Sequence, residues 1–63
     1  MKEIEVDALY RHKLTNTHGQ VSRVNRTWIY LRNVMVKSGN GILYIDVKYR
    51  VRDFREQWEE VVD

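Results

Sequence analysis

Apolar and polar residues alternate along most of the chain, and this alternation predicts its strands. Residues 3–14 and 43–51 place apolar side chains at every second position, apart from His12, which is typical of strands with one buried face. Between them, residues 21–37 are rich in β-branched and aromatic residues, which favour a pleated sheet. The pattern therefore predicts a mainly β protein with four to five short antiparallel strands.

Three breaks in the alternation predict where the chain turns. A polar loop containing Gly19 spans residues 15–20. The apolar positions then change from odd numbers at Ile29 and Leu31 to an even number at Val34, which predicts a β-bulge or bend near Asn33. Residues 38–41 (SGNG) predict a tight hairpin, because glycine allows the positive φ that such turns need. In the strand that follows, we expect these residues to face the core: Leu43, Ile45, Val47, Tyr49 and Val51.

The spacing of apolar residues changes after Arg52 from two to about 3.6, which predicts a helix over about residues 54–62. Its apolar stripe consists of Phe54, Trp58, Val61 and Val62, and Asp53 with Glu56 has the spacing of an N-cap and its capping-box partner. A helix this short is not stable alone in water. We therefore expect its apolar stripe to dock onto the sheet or onto a partner.

Residues 1–63 are expected to form a single small α+β domain, since a chain of this length supports only one core. A curled sheet or a partly open barrel of the SH3-like or OB-like kind, with a C-terminal helix, satisfies the pattern. Residues 28–34 (WIYLRNV), a hairpin and residues 45–51 (IDVKYRV) together resemble small barrel proteins of unassigned role encoded by bacteriophages and prophages. The resemblance covers about residues 26–52 and rests on strand residues, so it implies an origin more than an activity.

Charge is segregated along the chain. Nine basic residues and a single acid, Asp46, lie within residues 8–52, whereas the other acids cluster at the two ends. This excess of positive charge within residues 8–52 favours an anionic partner, such as single-stranded DNA or RNA or an acidic protein surface. We expect Asp46 itself to form an ion pair with a neighbouring cation such as Arg32 or Lys48.

The basic segment predicts a surface for nucleic acid. If Ile29 and Leu31 face the core, the outward residues of this strand and of the strand across the hairpin are aromatic and basic: Arg26, Trp28, Tyr30, Arg32, Tyr44, Lys48, Arg50 and Arg52. Aromatic rings on which bases stack, flanked by cations that hold phosphates, are the usual design of single-strand binders on small barrels. In the alternative arrangement, Phe54 and Trp58 of the terminal helix cover Trp28 and Tyr30.

The acidic helix predicts a different function, in which a phage-type protein inhibits or modulates a host protein by direct contact. Such contact would use either a sheet edge or the helix. The helix would dock into a basic groove of the host protein, and its contact residues would be Phe54, Glu56, Trp58, Glu59 and Glu60. Nucleic-acid binding is the first hypothesis and protein contact is the second.

Catalysis is not expected. His12 and His18 are the only histidines, and their sequence context suggests neither a nucleophile beside them nor the three or four ligands of a metal site. We expect no cofactor and no metal. The absence of cysteine favours a reducing cytoplasm, and the lack of an apolar leader or a long apolar stretch predicts no membrane partner. A monomer or a small homo-oligomer is expected.

Overall fold

The computed structural model describes residues 3–62, and it confirms a mainly β fold with one short C-terminal helix. The elements in chain order are β1 Leu9–His12, β2 His18–Val24, β3 Trp28–Ser38, β4 Gly41–Arg50, α1 Val51–Gln57 and β5 Trp58–Glu60. All strand pairs are antiparallel and form a single sheet in the order β4-β3-β2-β1-β5. The sheet is not closed, so β4 and β5 are its edges within the described residues.

The predicted hairpin and the predicted bulge are both confirmed. Ser38 pairs with Gly41 across a two-residue turn in which Gly39 has a φ of 58°. The β3–β4 register shifts between Leu31 and Val34, and Asn33 has a φ of 58° at this point. Asparagine tolerates this left-handed conformation better than most residues do. The bulge therefore forms where the apolar phase of the sequence changes.

The region 21–37 contains a second break that the sequence pattern did not predict. β2 and β3 are separated by residues 25–27, where the Asn25 side-chain oxygen accepts hydrogen bonds from the backbone N–H groups of Thr27 and Trp28 at 2.9 and 2.8 Å. An asparagine side chain that binds backbone two residues later mimics a backbone turn. This local bonding divides the region into two strands.

The first strand is shorter than the alternation predicts. β1 contains four residues, Leu9–His12, rather than residues 3–14. Asp7 has a φ of 72° in a turn before the strand, although its backbone N–H still donates to the Val21 carbonyl at 2.7 Å. The chain therefore follows the sheet before Leu9 without continuing the regular ladder.

The predicted helix over 54–62 is wrong at both ends. α1 begins at Val51 and ends at Gln57, and Asp53 lies in its first turn rather than at the N-cap, which is Arg50. Trp58 begins β5, which pairs with β1 and places Glu59 opposite Arg11. Pairing with a strand nearly fifty residues away supplies backbone hydrogen bonds that a final helical turn would have to supply locally.

The core lies on one face of the sheet, where Phe54 of α1 packs against side chains of the strands. It consists of Tyr10, Val21, Ile29, Leu31, Val34, Phe54 and Trp58. The Phe54 ring lies 4.7 Å from the Tyr10 ring and 6.0 Å from the Trp58 ring, measured between centroids. The predicted docking of the apolar stripe is thus confirmed for Phe54 and Trp58, whereas Val61 and Val62 of the same stripe are 38% and 72% exposed.

The core does not extend to the far end of the β3–β4 hairpin. Leu43 and Ile45, which we expected to be buried, are 53% and 38% exposed. The molecule is elongated, with extents of 39 × 23 × 19 Å. Neither α1 nor β5 is long enough to cover a hairpin of two strands with ten or eleven residues each.

Candidate nucleic-acid interface

Five residues form one surface on the side of the sheet opposite the core, which we call the basic–aromatic face: Arg23, Trp28, Tyr30, Lys48 and Arg50. They come from three neighbouring strands, in which Tyr30 is paired with both Arg23 and Lys48, and Trp28 is paired with Arg50. Successive side chains of a strand point to opposite faces. Because Ile29 and Leu31 are fully buried in the core, Trp28 and Tyr30 lie on the other side.

Cations lie over both aromatic rings of this face. The Arg23 guanidinium carbon is 4.3 Å from the Tyr30 ring centroid, and Lys48 Nζ and the Arg50 guanidinium carbon are 4.5 and 5.3 Å from the Trp28 centroid. Each such contact at an exposed site contributes about 0.5–1 kcal/mol. The contacts hold three long, charged side chains close to the sheet and leave both rings half-buried.

The terminal helix does not cover this face, so the alternative arrangement is wrong. Phe54 and Trp58 are 1% and 3% exposed, and both contribute to the core on the opposite side. The Trp58 ring instead contacts those of His12 and Tyr49, at 5.1 and 5.8 Å between centroids. Ile29 and Leu31 of β3 lie in the core with Phe54, whereas Trp28 and Tyr30 remain on the basic–aromatic face.

Arg32 lies on the same side but its charge is compensated. Its Nη2 donates to the Asp7 carboxylate at 2.7 Å, and its Nε donates to the Gln20 side-chain oxygen at 3.2 Å. The predicted pairing of Arg32 or Lys48 with Asp46 is not present, since Asp46 forms no ion pair within residues 3–62. Asp7 approaches because its left-handed turn brings it beside β2.

Three other predicted nucleic-acid residues lie outside the basic–aromatic face. Arg26 is exposed in the turn at residues 25–27 rather than on a strand. Arg52 belongs to α1, where its side chain is 82% exposed and lies 3.8 Å from Asp53. Tyr44 lies in β4 near the turn of the β3–β4 hairpin and is 67% exposed. The turn after Val24 and the start of α1 move Arg26 and Arg52 away from Trp28, and Tyr44 is separated from it along β4, where it pairs with Met35.

Arg23 was missed by the sequence analysis because of a second bulge. Simple alternation places it on the same side as Val21, which is fully buried. The β2–β3 register shifts between these two residues, and Arg23 is thereby paired with Tyr30. Ser22 lies within the shift, and its hydroxyl donates to the Tyr30 carbonyl at 3.2 Å. A bulge reverses the facing of the residues that follow it.

The predicted protein-binding surface on the terminal helix is not assembled as expected. Phe54 and Trp58 are buried, and Glu59 and Glu60 belong to β5 rather than to a helix. Only Glu56 of the five residues is exposed on α1. Both aromatic residues therefore pack in the core and do not form a surface for contact with another protein.

Glu59 forms a cross-strand ion pair with Arg11, whose Nε donates to Glu59 Oε1 at 3.1 Å. The hydrogen bond from Arg11, supported by its positive charge and by that of Lys13, lowers the pKa of Glu59. Both side chains of the pair are nearly half exposed. The pair belongs to the β1–β5 ladder, on the edge of the sheet far from β4.

No protein family, curated protein or solved structure matches the chain. Within residues 3–62, no group of three or more carboxylate or imidazole side chains is arranged to hold a metal ion. The same residues contain no helix with the length and apolar character that crossing a bilayer requires.

Proposed function

We propose that this protein binds single-stranded nucleic acid, without strong sequence preference, through the basic–aromatic face and without catalysis. The observation that carries the proposal is the placement of three cations within 4.3–5.3 Å of two aromatic ring centroids on an uncovered sheet face. Aromatic platforms that stack bases, combined with cations that track the phosphates, bind single strands with little sequence preference. The absence of cysteine suits a reducing cytoplasm, and a relationship to phage-encoded barrels is part of the proposal.

Stacking on Trp28 requires a base to displace the cations that lie over its ring. The two contacts from Lys48 and Arg50 contribute about 0.5–1 kcal/mol each, whereas stacking of one base contributes about 1–3 kcal/mol. The displaced cations also gain contacts with the phosphates on either side of the base. The exchange therefore favours the bound state once both terms are counted.

The attraction is expected to come from three charges rather than from the whole basic segment. Arg23, Lys48 and Arg50 form no ion pair within the described residues, whereas Arg32 is neutralised by Asp7. For single strands, each phosphate contact contributes about −0.7 to the slope of log affinity against log salt. Three contacts therefore give an expected slope of about −2.

Fluorescence anisotropy of a labelled oligothymidylate or oligouridylate, titrated at several salt concentrations, tests this proposal. The double variant Lys48→Ala/Arg50→Ala should weaken binding and reduce the slope by about one unit or more. The matched control Arg26→Ala/Arg52→Ala removes the same charge from positions off the basic–aromatic face and should change the slope less. Equal effects of the two variants would mean that net charge, not this face, drives binding.

Intrinsic fluorescence locates the contact, because the two tryptophans differ in environment. Trp28 is half-buried on the basic–aromatic face, whereas Trp58 is 3% exposed in the core. The bound oligonucleotide should quench the emission of Trp28 in a Trp58→Phe variant and leave that of Trp58 unchanged in a Trp28→Phe variant. Absence of binding to DNA and RNA at low salt would refute the proposal and favour contact with a host protein through a sheet edge.

A further inference from the structure

The exposed edge of β4 carries apolar residues that no part of the described chain covers. β4 is the last strand of the sheet, next to β3 alone. Ile42, Leu43 and Tyr44 are each more than half exposed, at 54%, 53% and 67%. An unpaired edge strand with apolar side chains is a template for pairing with another strand.

The hydrogen-bond pattern identifies which backbone groups are available at this edge. The Val51 N–H donates to the Thr27 carbonyl at 3.0 Å, which extends the β3–β4 ladder beyond the strand. Alternate residues of a strand direct their N–H and C=O groups to opposite sides. The odd-numbered residues of β4 therefore bond to β3, and the N–H and C=O groups of Tyr44, Asp46 and Lys48 point outward.

We propose that β4 pairs antiparallel with β4 of a second copy of this chain, about a two-fold axis at Val47. The sheets of the two copies would then join into one continuous sheet. In this register, Asp46 of each copy lies directly opposite Lys48 of the other, so two cross-strand ion pairs form. Asp46 has no ion pair within residues 3–62, and the second copy supplies the cation that it lacks.

Charge selects this register over its neighbours. An axis at Asp46 would place two carboxylates face to face. An axis at Lys48 would pair each Asp46 with Arg50 of the other copy but would place two ammonium groups face to face. Like charges directly opposite each other destabilise a strand pair. An axis at Ile45 avoids repulsion but leaves Asp46 opposite Tyr44, without a cation.

The apolar side of the strand supports the same register. With the axis at Val47, the two Val47 side chains face each other and Ile45 faces Tyr49 of the second copy. Ile45 is 38% exposed and Tyr49 is half-buried, so each would lose exposed apolar surface. A second copy therefore complements residues 44–50 of β4 in both charge and apolar surface, whereas Ile42 and Leu43 lie beyond the paired stretch, opposite the start of α1 in the second copy. This inference does not rest on nucleic-acid binding, and its test contains no nucleic acid; the two proposals share Lys48, whose charge is offset in the dimer by Asp46 of the second copy.

Sedimentation velocity of the full chain across a concentration series tests the proposal by charge exchange. Asp46→Lys and Lys48→Asp each replace two attractive pairs with two repulsive ones, so each variant alone should raise the dimer dissociation constant by about tenfold or more. Mixing the two variants restores opposite charges at both positions and should yield a heterodimer. The double variant Asp46→Lys/Lys48→Asp should dimerise like the unmodified protein.

Lys37→Asp is the matched control, because it makes the same change of charge on the interior strand β3 and should leave dimerisation nearly unchanged. Circular dichroism of each variant separates loss of pairing from loss of fold. A monomeric unmodified protein at the highest concentration would overturn the proposal. So would a dimer that persists unchanged in both single variants, or single variants that fail to associate when mixed.

Discussion

Gly19→Ala is expected to destabilise the protein, although it removes a flexible glycine from a strand. A Cβ atom at this position would lie 2.9 Å from Val34 Cγ2 and 3.5 Å from Leu31 Cδ1. Val34 is 5% exposed and β-branched, so its χ1 rotamers are restricted and it cannot easily move aside. The extra methyl group therefore overpacks the core where β2 approaches the bulge of β3.

Two opposing effects determine the size of the change in the free energy of unfolding. Overpacking a core costs about 1–3 kcal/mol. Replacing glycine lowers the entropy of the unfolded chain and stabilises by about 0.4–1 kcal/mol where the native φ suits alanine, and Gly19 is not in the left-handed region. The net expectation is a loss of about 1–2 kcal/mol, or about 4–16 °C in Tm for a domain of this size.

Thermal and urea unfolding followed by circular dichroism measure this loss. Gly41→Ala is the matched control, because its new Cβ would meet only the Ser38 carbonyl oxygen at 3.7 Å, an ordinary contact. In a Val34→Ala background, Gly19→Ala should become neutral or stabilising, since the methyl group that it strikes has been removed. An equal loss in both backgrounds would refute the steric explanation.

Three further predictions concern the core, the β1–β5 ladder and the basic–aromatic face. Trp58→Ala should cost about 3–5 kcal/mol, which is comparable with the whole stability of a small domain, and a nearly unshifted melt would contradict the packing described. Trp28→Ala should instead spare the melt and weaken oligonucleotide binding by about 1–3 kcal/mol, whereas unfolding would show that its main role is in folding. Because Arg11 lowers the pKa of Glu59 in the folded state, their pair stabilises above the unfolded pKa and is lost as pH falls through the folded pKa. Glu59→Gln should therefore flatten the acid side of a plot of Tm against pH, and Glu56→Gln, on α1, should leave it nearly unchanged.

Features encoded by neighbouring residues could be predicted from the sequence alone. Gly39 marks the hairpin, and the change of apolar phase before Val34 marks the bulge at Asn33. The hairpin then sets the register of β3 against β4, so Trp28 and Tyr30 could be placed on one face with Lys48 and Arg50. Alternation and turn chemistry act over a few residues, which is why these predictions depended on no distant contact.

Features that depend on distant segments were decided by the tertiary structure. The four-residue spacing from Phe54 to Trp58 suits a helix that continues past Trp58. Trp58 instead begins a strand, because it pairs with His12 of β1. Arg23 lies on the basic–aromatic face because of a register shift of β2 against β3. Arg32 forms an ion pair with Asp7, which lies 25 residues away in the sequence. Short segments satisfy several local patterns equally well, and the backbone hydrogen bonds and charges of distant strands select one of them.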